Sequence, residues 1–78
     1  MKKYRNKNGQ LHRLDGPAVE DEWRKVWYKN GKLHREDGPA VEYEDWYKEW
    51  WIDGTQYVPV ESKKTGVVTI AGQEFVSV

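Results

Sequence analysis

Cysteine is absent from this sequence, histidine occurs twice, proline three times, and phenylalanine and methionine once each. Each scarcity removes a class of protein. Without cysteine there are no disulfides and no thiolate metal sites, and two histidines are too few for a structural zinc. Net charge is also missing, since 13 basic side chains balance 13 acidic ones over 78 residues. Binding to nucleic acid or to an anionic membrane draws on a basic excess, so neither is expected as a partner. No apolar stretch follows Met1 in the manner of a signal peptide, and no apolar run is long enough to span a bilayer. A cytoplasmic location is the expectation.

Aromatic residues take the room that aliphatic ones leave. Five tryptophans and five tyrosines serve a domain whose ordering costs roughly 1.5 kcal/mol per residue. Each ring buries on the order of 150 to 250 Å². The tryptophans are therefore expected inside, as the core.

Those rings are set in a repeat. The string "NGQLHRLDGPAVE" at 8–20 returns as "NGKLHREDGPAVE" at 30–42, so Gly9 and Gly31, His12 and His34, and Gly16 and Gly38 stand 22 residues apart. One residue is inserted where "EDE" becomes "EYED", and Trp23 and Trp46, Trp27 and Trp50, and Gly31 and Gly54 stand 23 apart. An indel of this kind belongs at a hairpin tip. A third unit opens with "WWIDGTQY" and soon loses the pattern.

The turns punctuate each unit. Asn8-Gly9, Asn30-Gly31 and Asp53-Gly54 predict two-residue hairpin turns with positive φ at both positions. In "LDGPA" and "EDGPA", Asp15 and Asp37 are expected as Asx-turn acceptors, Gly16 and Gly38 as left-handed residues, and the proline as the start of the next strand. "RKVWYK" and "YKEWWI" are aromatic and β-branched enough for strands, and nothing reads as a helix. Alternation puts Trp23, Lys25 and Trp27 on one face and Arg24, Val26 and Tyr28 on the other. The fold class is thus all-β, an antiparallel meander of hairpin repeats of about 22 residues over 1–58. A polar linker follows at 59–66. A C-terminal hairpin at 67–78, turning at Ala71-Gly72, caps the repeats within a single domain.

Charge is written in blocks. From Met1 to Leu14 every charge is positive, from Asp15 to Glu22 every charge is negative, and the alternation recurs over Arg24–Arg35 and Glu36–Glu49 with Lys48 as the exception. Neighbouring antiparallel strands would set opposite signs against each other, a gain of roughly 0.2 to 1 kcal/mol for each good pair.

The stretches "WYKNGKLHREDGPAVEY" and "NGQLHRLDGPAVE" resemble MORN-type repeats, and more closely the "NGKxHRxDGPA" repeat proteins of phages and bacteria. The resemblance spans Tyr4 to Tyr57, and Tyr28, Gly31 and Gly38 match the MORN spacing of tyrosine and glycine. It implies β-hairpin units and an interaction role. For a phage-encoded chain it implies a host defence or regulatory protein, bound and inhibited in the host cytoplasm, or else a phage protein as partner. His-Arg stands where MORN units prefer glycine, so lipid binding does not carry over.

No catalytic residue is expected. Ser62 and Ser77 lack a nucleophile elbow, and no P-loop or metal motif is present, so the chain reads as a non-enzyme without cofactor or metal. A catalytic group is normally built once, whereas a scaffold device recurs in every unit. On that ground Gly9, Asp15, Gly16, Trp23, Trp27, Gly31, Asp37, Gly38, Trp46, Trp50 and Gly54 read as repeat structure. Candidate binding residues are the doubled His12, Arg13, His34 and Arg35, together with Tyr43, Tyr47 and Trp51, which break the repeat. The leading expectation is a protein-interaction module. Capture of a nucleotide or sugar between Trp, His and Arg is the alternative. A structural or assembly role is a further one, with a homodimer formed through the apolar C-terminal hairpin.

Overall fold

A computed structural model describes residues 1–44, 46–60 and 66–78. Residues 61–65, most of the expected linker, lie outside the described residues. Ten strands and no helix occur among the described residues. They are β1 (Lys2–Lys3), β2 (Val19–Glu20), β3 (Arg24–Val26), β4 (Tyr28–Lys29), β5 (Lys32–Leu33), β6 (Val41–Tyr43), β7 (Tyr47–Ile52), β8 (Thr55–Pro59), β9 (Val68–Ile70) and β10 (Gln73–Ser77). Eight form one sheet in the order β1-β2-β3-β6-β7-β8-β10-β9, and β4-β5 form a separate ladder. Every pairing is antiparallel.

The charge blocks land as their signs require. Register sets Lys2 against Glu20, Glu20 against Lys25, Lys25 against Glu42, and Glu42 against Lys48. One face of the sheet therefore carries a row of alternating charge across five strands. The neighbouring row sets Val19, Val26 and Val41 side by side, because successive residues point to opposite faces. These valines are buried, and Leu11, Tyr28, Leu33 and Trp51 fold onto them.

The core corrects an expectation. The buried hydrophobic residues are Ala18, Val19, Val26, Ala40, Val41, Ile70 and Phe75, with no tryptophan among them. Trp27, Trp50 and Trp51 are half-buried and Trp23 and Trp46 are exposed. Where β2, β3 and β6 run side by side, each two or three residues long, valines close the core. Trp23 and Trp46 stand at the tips, while Trp50 and Trp51 sit half-buried in the interior strand β7.

Two glycine assignments also change. Asn30-Gly31, Asp53-Gly54 and Ala71-Gly72 have positive φ at both positions, as two-residue turns demand. At Asn8-Gly9 only the glycine does. Asn6 carries the reason, since its side-chain oxygen accepts from the amides of Asn8 and Gln10 at 3.0 and 3.1 Å and orders a longer loop. That loop has one residue more than the turn at Asn30-Gly31, as the bridge Arg5–Leu11 beside the pair Tyr28–Leu33 shows. Gly16 and Gly38 do not have positive φ at all. Their role is to leave space for the Arg13 and Arg35 side chains.

The last two strands extend the sheet through β10, which pairs with both β8 and β9. Pairing with β8 reaches Pro59, and the Val60 amide donates to the Glu74 carbonyl, so regular structure runs past the boundary expected at residue 58. Phe75 and Ile70, each 1% exposed, are the largest fully buried side chains. The Phe75 ring lies 5.1 Å from that of Trp50.

Candidate functional site

The doubled His-Arg loops come first, because they carry the most chemistry in the sequence. Arg13 donates from Nε to Asp15 Oδ1 at 3.0 Å and from Nη1 to the Pro17 carbonyl at 3.3 Å, while its guanidinium carbon lies 4.2 Å from the centre of the Tyr4 ring. Arg35 repeats every contact: 3.0 Å to Asp37, 3.1 Å to the Pro39 carbonyl and 3.8 Å from the Trp27 ring centre. A Cβ on Gly16 would fall 3.0 Å from the Arg13 guanidinium carbon, and one on Gly38 would fall 2.8 Å from that of Arg35. Each arginine is thus clamped between an aromatic ring and a bare glycine backbone. Asp15 and Asp37 hold the arginine instead of closing an Asx turn.

The histidines tie successive units together. His12 Nδ1 accepts the Asn30 amide at 2.9 Å, and His34 Nδ1 accepts the Asp53 amide at 3.0 Å. Both bonds need the neutral ring with its proton on Nε2. Backbone bonds from Gly31 to Leu11 and from Gly54 to Leu33, each 2.9 Å, lie alongside. The two loops face each other across an open cleft of about 530 Å³, lined among others by Arg13, Trp27, Lys29, His34 and Arg35. Its arginines reach it already bonded to carboxylates and carbonyls. Among the described residues no buried side-chain nitrogen or oxygen lacks a partner.

The opposite ends of the strands look different. The turn after β2 and the turn after β6 lie side by side, since Arg24 pairs with Tyr43 and the Glu44 amide donates to the Trp23 carbonyl at 3.0 Å. The adjoining tips carry four exposed rings, Trp23 on the first and Tyr43, Trp46 and Tyr47 on the second, with exposures of 62%, 37%, 76% and 39%. The rings of Tyr43 and Tyr47 meet edge-on at 5.7 Å, and those of Trp46 and Tyr47 at 6.0 Å.

Carboxylates surround these rings. Asp21 Oδ1 accepts the amides of Trp23 and Arg24, each at 2.9 Å, and Asp21 Oδ2 accepts Arg24 Nε at 3.1 Å. The Trp23 amide foremost, with help from Arg24, holds the Asp21 carboxyl below its usual range against the opposing effect of partial burial. Arg24 is pushed up, first by the Tyr43 hydroxyl and then by Asp21. Glu49 accepts the Tyr47 hydroxyl proton and holds that phenol above its usual range. Glu44 accepts the Trp46 indole at 3.3 Å. Asp45 lies outside the described residues.

Of the candidates read from the sequence, Tyr43 and Tyr47 meet at this surface. Trp51 does not, for it folds against the buried valines and its indole donates to Glu49 at 2.8 Å. His12, Arg13, His34 and Arg35 gather at the other set of loops as internal ties. Trp23 and Trp46 were placed with the repeat structure, yet they supply the most exposed rings of the patch. The signal was present in "DEW" and "EDW", where a tryptophan beside two acids at a hairpin tip has no sheet above it to enter.

No family model, curated protein or solved structure matches this chain.

Proposed function

We propose that this chain is a non-enzymatic protein-interaction module whose contact surface is the pair of hairpin tips bearing Trp23, Tyr43, Trp46 and Tyr47. The observation that carries the reading is the exposure of two tryptophans and two tyrosines on two adjoining hairpin tips. Contiguous exposed apolar surface marks interaction sites, and tryptophan and tyrosine dominate binding energy there. The hairpin units, tied by histidine and arginine and capped by the last hairpin through Phe75 on Trp50, act as the scaffold that presents the tips. The resemblance to MORN-like phage repeats supports an interaction role with a host protein as partner.

A second reading has its own observation. The cleft of about 530 Å³ between the two His-Arg loops falls in the size range of small-ligand sites. A nucleotide or sugar there would stack on Trp27. The arginines are already committed to Asp15, Asp37 and proline carbonyls, which places this reading behind the first.

Site-specific photo-crosslinking separates the two. A crosslinker replacing Trp46 is expected to trap a discrete protein in bacterial lysate, with yield lost when Trp23 is changed to Ala. A crosslinker replacing Leu14, on the cleft, is expected to trap none. Crosslinks from Leu14 alone, together with tryptophan fluorescence that responds to nucleotides or sugars, would overturn the proposal.

A further inference from the structure

Resting on the reading of the tips as the contact surface, we infer that they recognise an arginine-bearing basic segment of the partner protein. Trp23 and Trp46 are the most exposed aromatic side chains of the patch, and the indole face is the best aromatic acceptor for a cation. A hydrocarbon partner would use the rings but strand the acids around them.

The charge of the surface sets the sign of its partner. A shallow hollow of about 210 Å³ beside Trp23 is lined by Asp21, Glu22, Glu42 and Glu44 against Arg24 and Lys25, four acids to two bases. Glu42 is itself held by Arg35 Nη1 at 3.5 Å and faces Lys48 in the sheet, so the surplus acids of the hollow are Glu22 and Glu44. Both bases are already matched: Arg24 is bonded to Asp21, and Lys25 lies 4.0 Å from Glu20 and opposite Glu42 in the sheet. Glu22 and Glu44 remain at the rim with the rings. Tyr47 adds no charge, its hydroxyl donating to Glu49.

Arginine fits this surface better than lysine. Its guanidinium is planar, less strongly hydrated and able to stack on an indole while donating edge-on to a carboxylate. The fold already uses that geometry twice, with Arg13 on Tyr4 and Arg35 on Trp27. Nucleic acid and acidic protein surfaces are repelled by the same excess charge.

The test is a tryptophan-fluorescence titration of the intact chain with hexa-arginine, hexa-lysine, hexa-glutamate and a 12-nucleotide single-stranded DNA. Hexa-arginine is expected to change the signal and to bind more tightly than hexa-lysine, while hexa-glutamate and DNA leave it unchanged. Trp46→Ala should weaken hexa-arginine by about three- to tenfold, the size of one cation–π contact. Glu44→Gln should weaken it and flatten its salt dependence, Glu36→Gln on the far loop should do neither, and Trp46→Phe should restore part of the loss. Circular dichroism checks that each variant is folded. Hexa-arginine binding that ignores Trp46 and Glu44, or equal binding of hexa-glutamate, would overturn the inference. So would self-association abolished by Trp46→Ala in sedimentation, since the occupant would then be a second copy. A protein crosslinked at Trp46 through a neutral or acidic surface would sink the arginine inference alone and leave the interaction module standing.

Discussion

The His-Arg loops and the hairpin tips are both written twice in the sequence, yet they differ in what their polar groups touch. In the loops, arginine and histidine bond back to the chain's own carboxylates, carbonyls and amides. At the tips, the largest rings face solvent. The difference shows that a reactive residue type repeated with its neighbours can be a fastener. In "HRxDGP", the aspartate, the glycine and the proline carbonyl are the three things the arginine needs. The tips repeat only a tryptophan and acids, and even with Glu44 and Tyr47 beside it the Trp46 ring stays 76% exposed.

Breaking the fasteners gives the largest expected effect. Arg35→Ala removes the stack on Trp27 and the bonds to Asp37 and Pro39, and should lower unfolding free energy by about 3 kcal/mol in urea titration. Arg35→Lys should recover little, because a point charge reproduces neither the stack nor the fork. Gly38→Ala follows closely. Its methyl would meet a guanidinium 2.8 Å away, and that group cannot swing aside without leaving its ring and its carbonyl, so a loss of about 2 kcal/mol is expected. Gly16→Ala, at 3.0 Å, should be milder. If Gly38→Ala is harmless, the clamp is looser than its geometry and the contrast with the tips weakens.

Much of this scaffold was legible in the sequence. Blocks of like charge pointed to opposite signs facing each other across strands, as Lys25 does with Glu20 and Glu42, because antiparallel neighbours sort charge by sign. Asn30-Gly31 and Asp53-Gly54 gave their turns because few dipeptides tolerate two positive φ values. Gly38 was misread for a physical reason: a glycine that supplies φ and one that supplies space look alike until the chain is folded. The arginine that crowds it comes three residues earlier and has to turn back. Trp23 and Trp46 were misplaced because hydrophobic identity argues for burial, while a hairpin tip offers nothing to bury against. Half of the candidate site, Tyr43 and Tyr47, was visible as a departure from the repeat.

A smaller effect sharpens the comparison through the histidines. His34→Ala leaves the Asp53 amide without its acceptor at the join between units, an expected loss of about 1 kcal/mol. His12→Ala should match it, because the Asn30 amide is held in the same way. Both losses should appear in urea unfolding without change in hexa-arginine binding. Trp46→Ala should do the reverse, shifting stability by less than about 0.5 kcal/mol while removing the contact. A histidine variant that lost binding with its stability intact would move the functional surface to the loops.

The smallest effect lies in the one tip acid whose bonds resemble those of the loops. Asp21 accepts two backbone amides and the Arg24 guanidinium, and its carboxyl is held below the ordinary range chiefly by the Trp23 amide. The unfolded chain therefore takes up this proton more readily than the folded one. The stabilisation is complete above the ordinary aspartate value and is lost as the pH falls below about 4 toward the lowered folded value. Asp21→Asn should flatten that acid limb of the stability curve and leave the region above pH 5 nearly parallel to the parent. Because the same bonds fix the backbone under Trp23, the variant should also loosen the indole, seen as a drop in its fluorescence anisotropy. An unchanged acid limb would mean that the Asp21 carboxylate does not order the tip, and the first tip would then have to be set by its backbone pairing, β2 with β3 and β3 with β6.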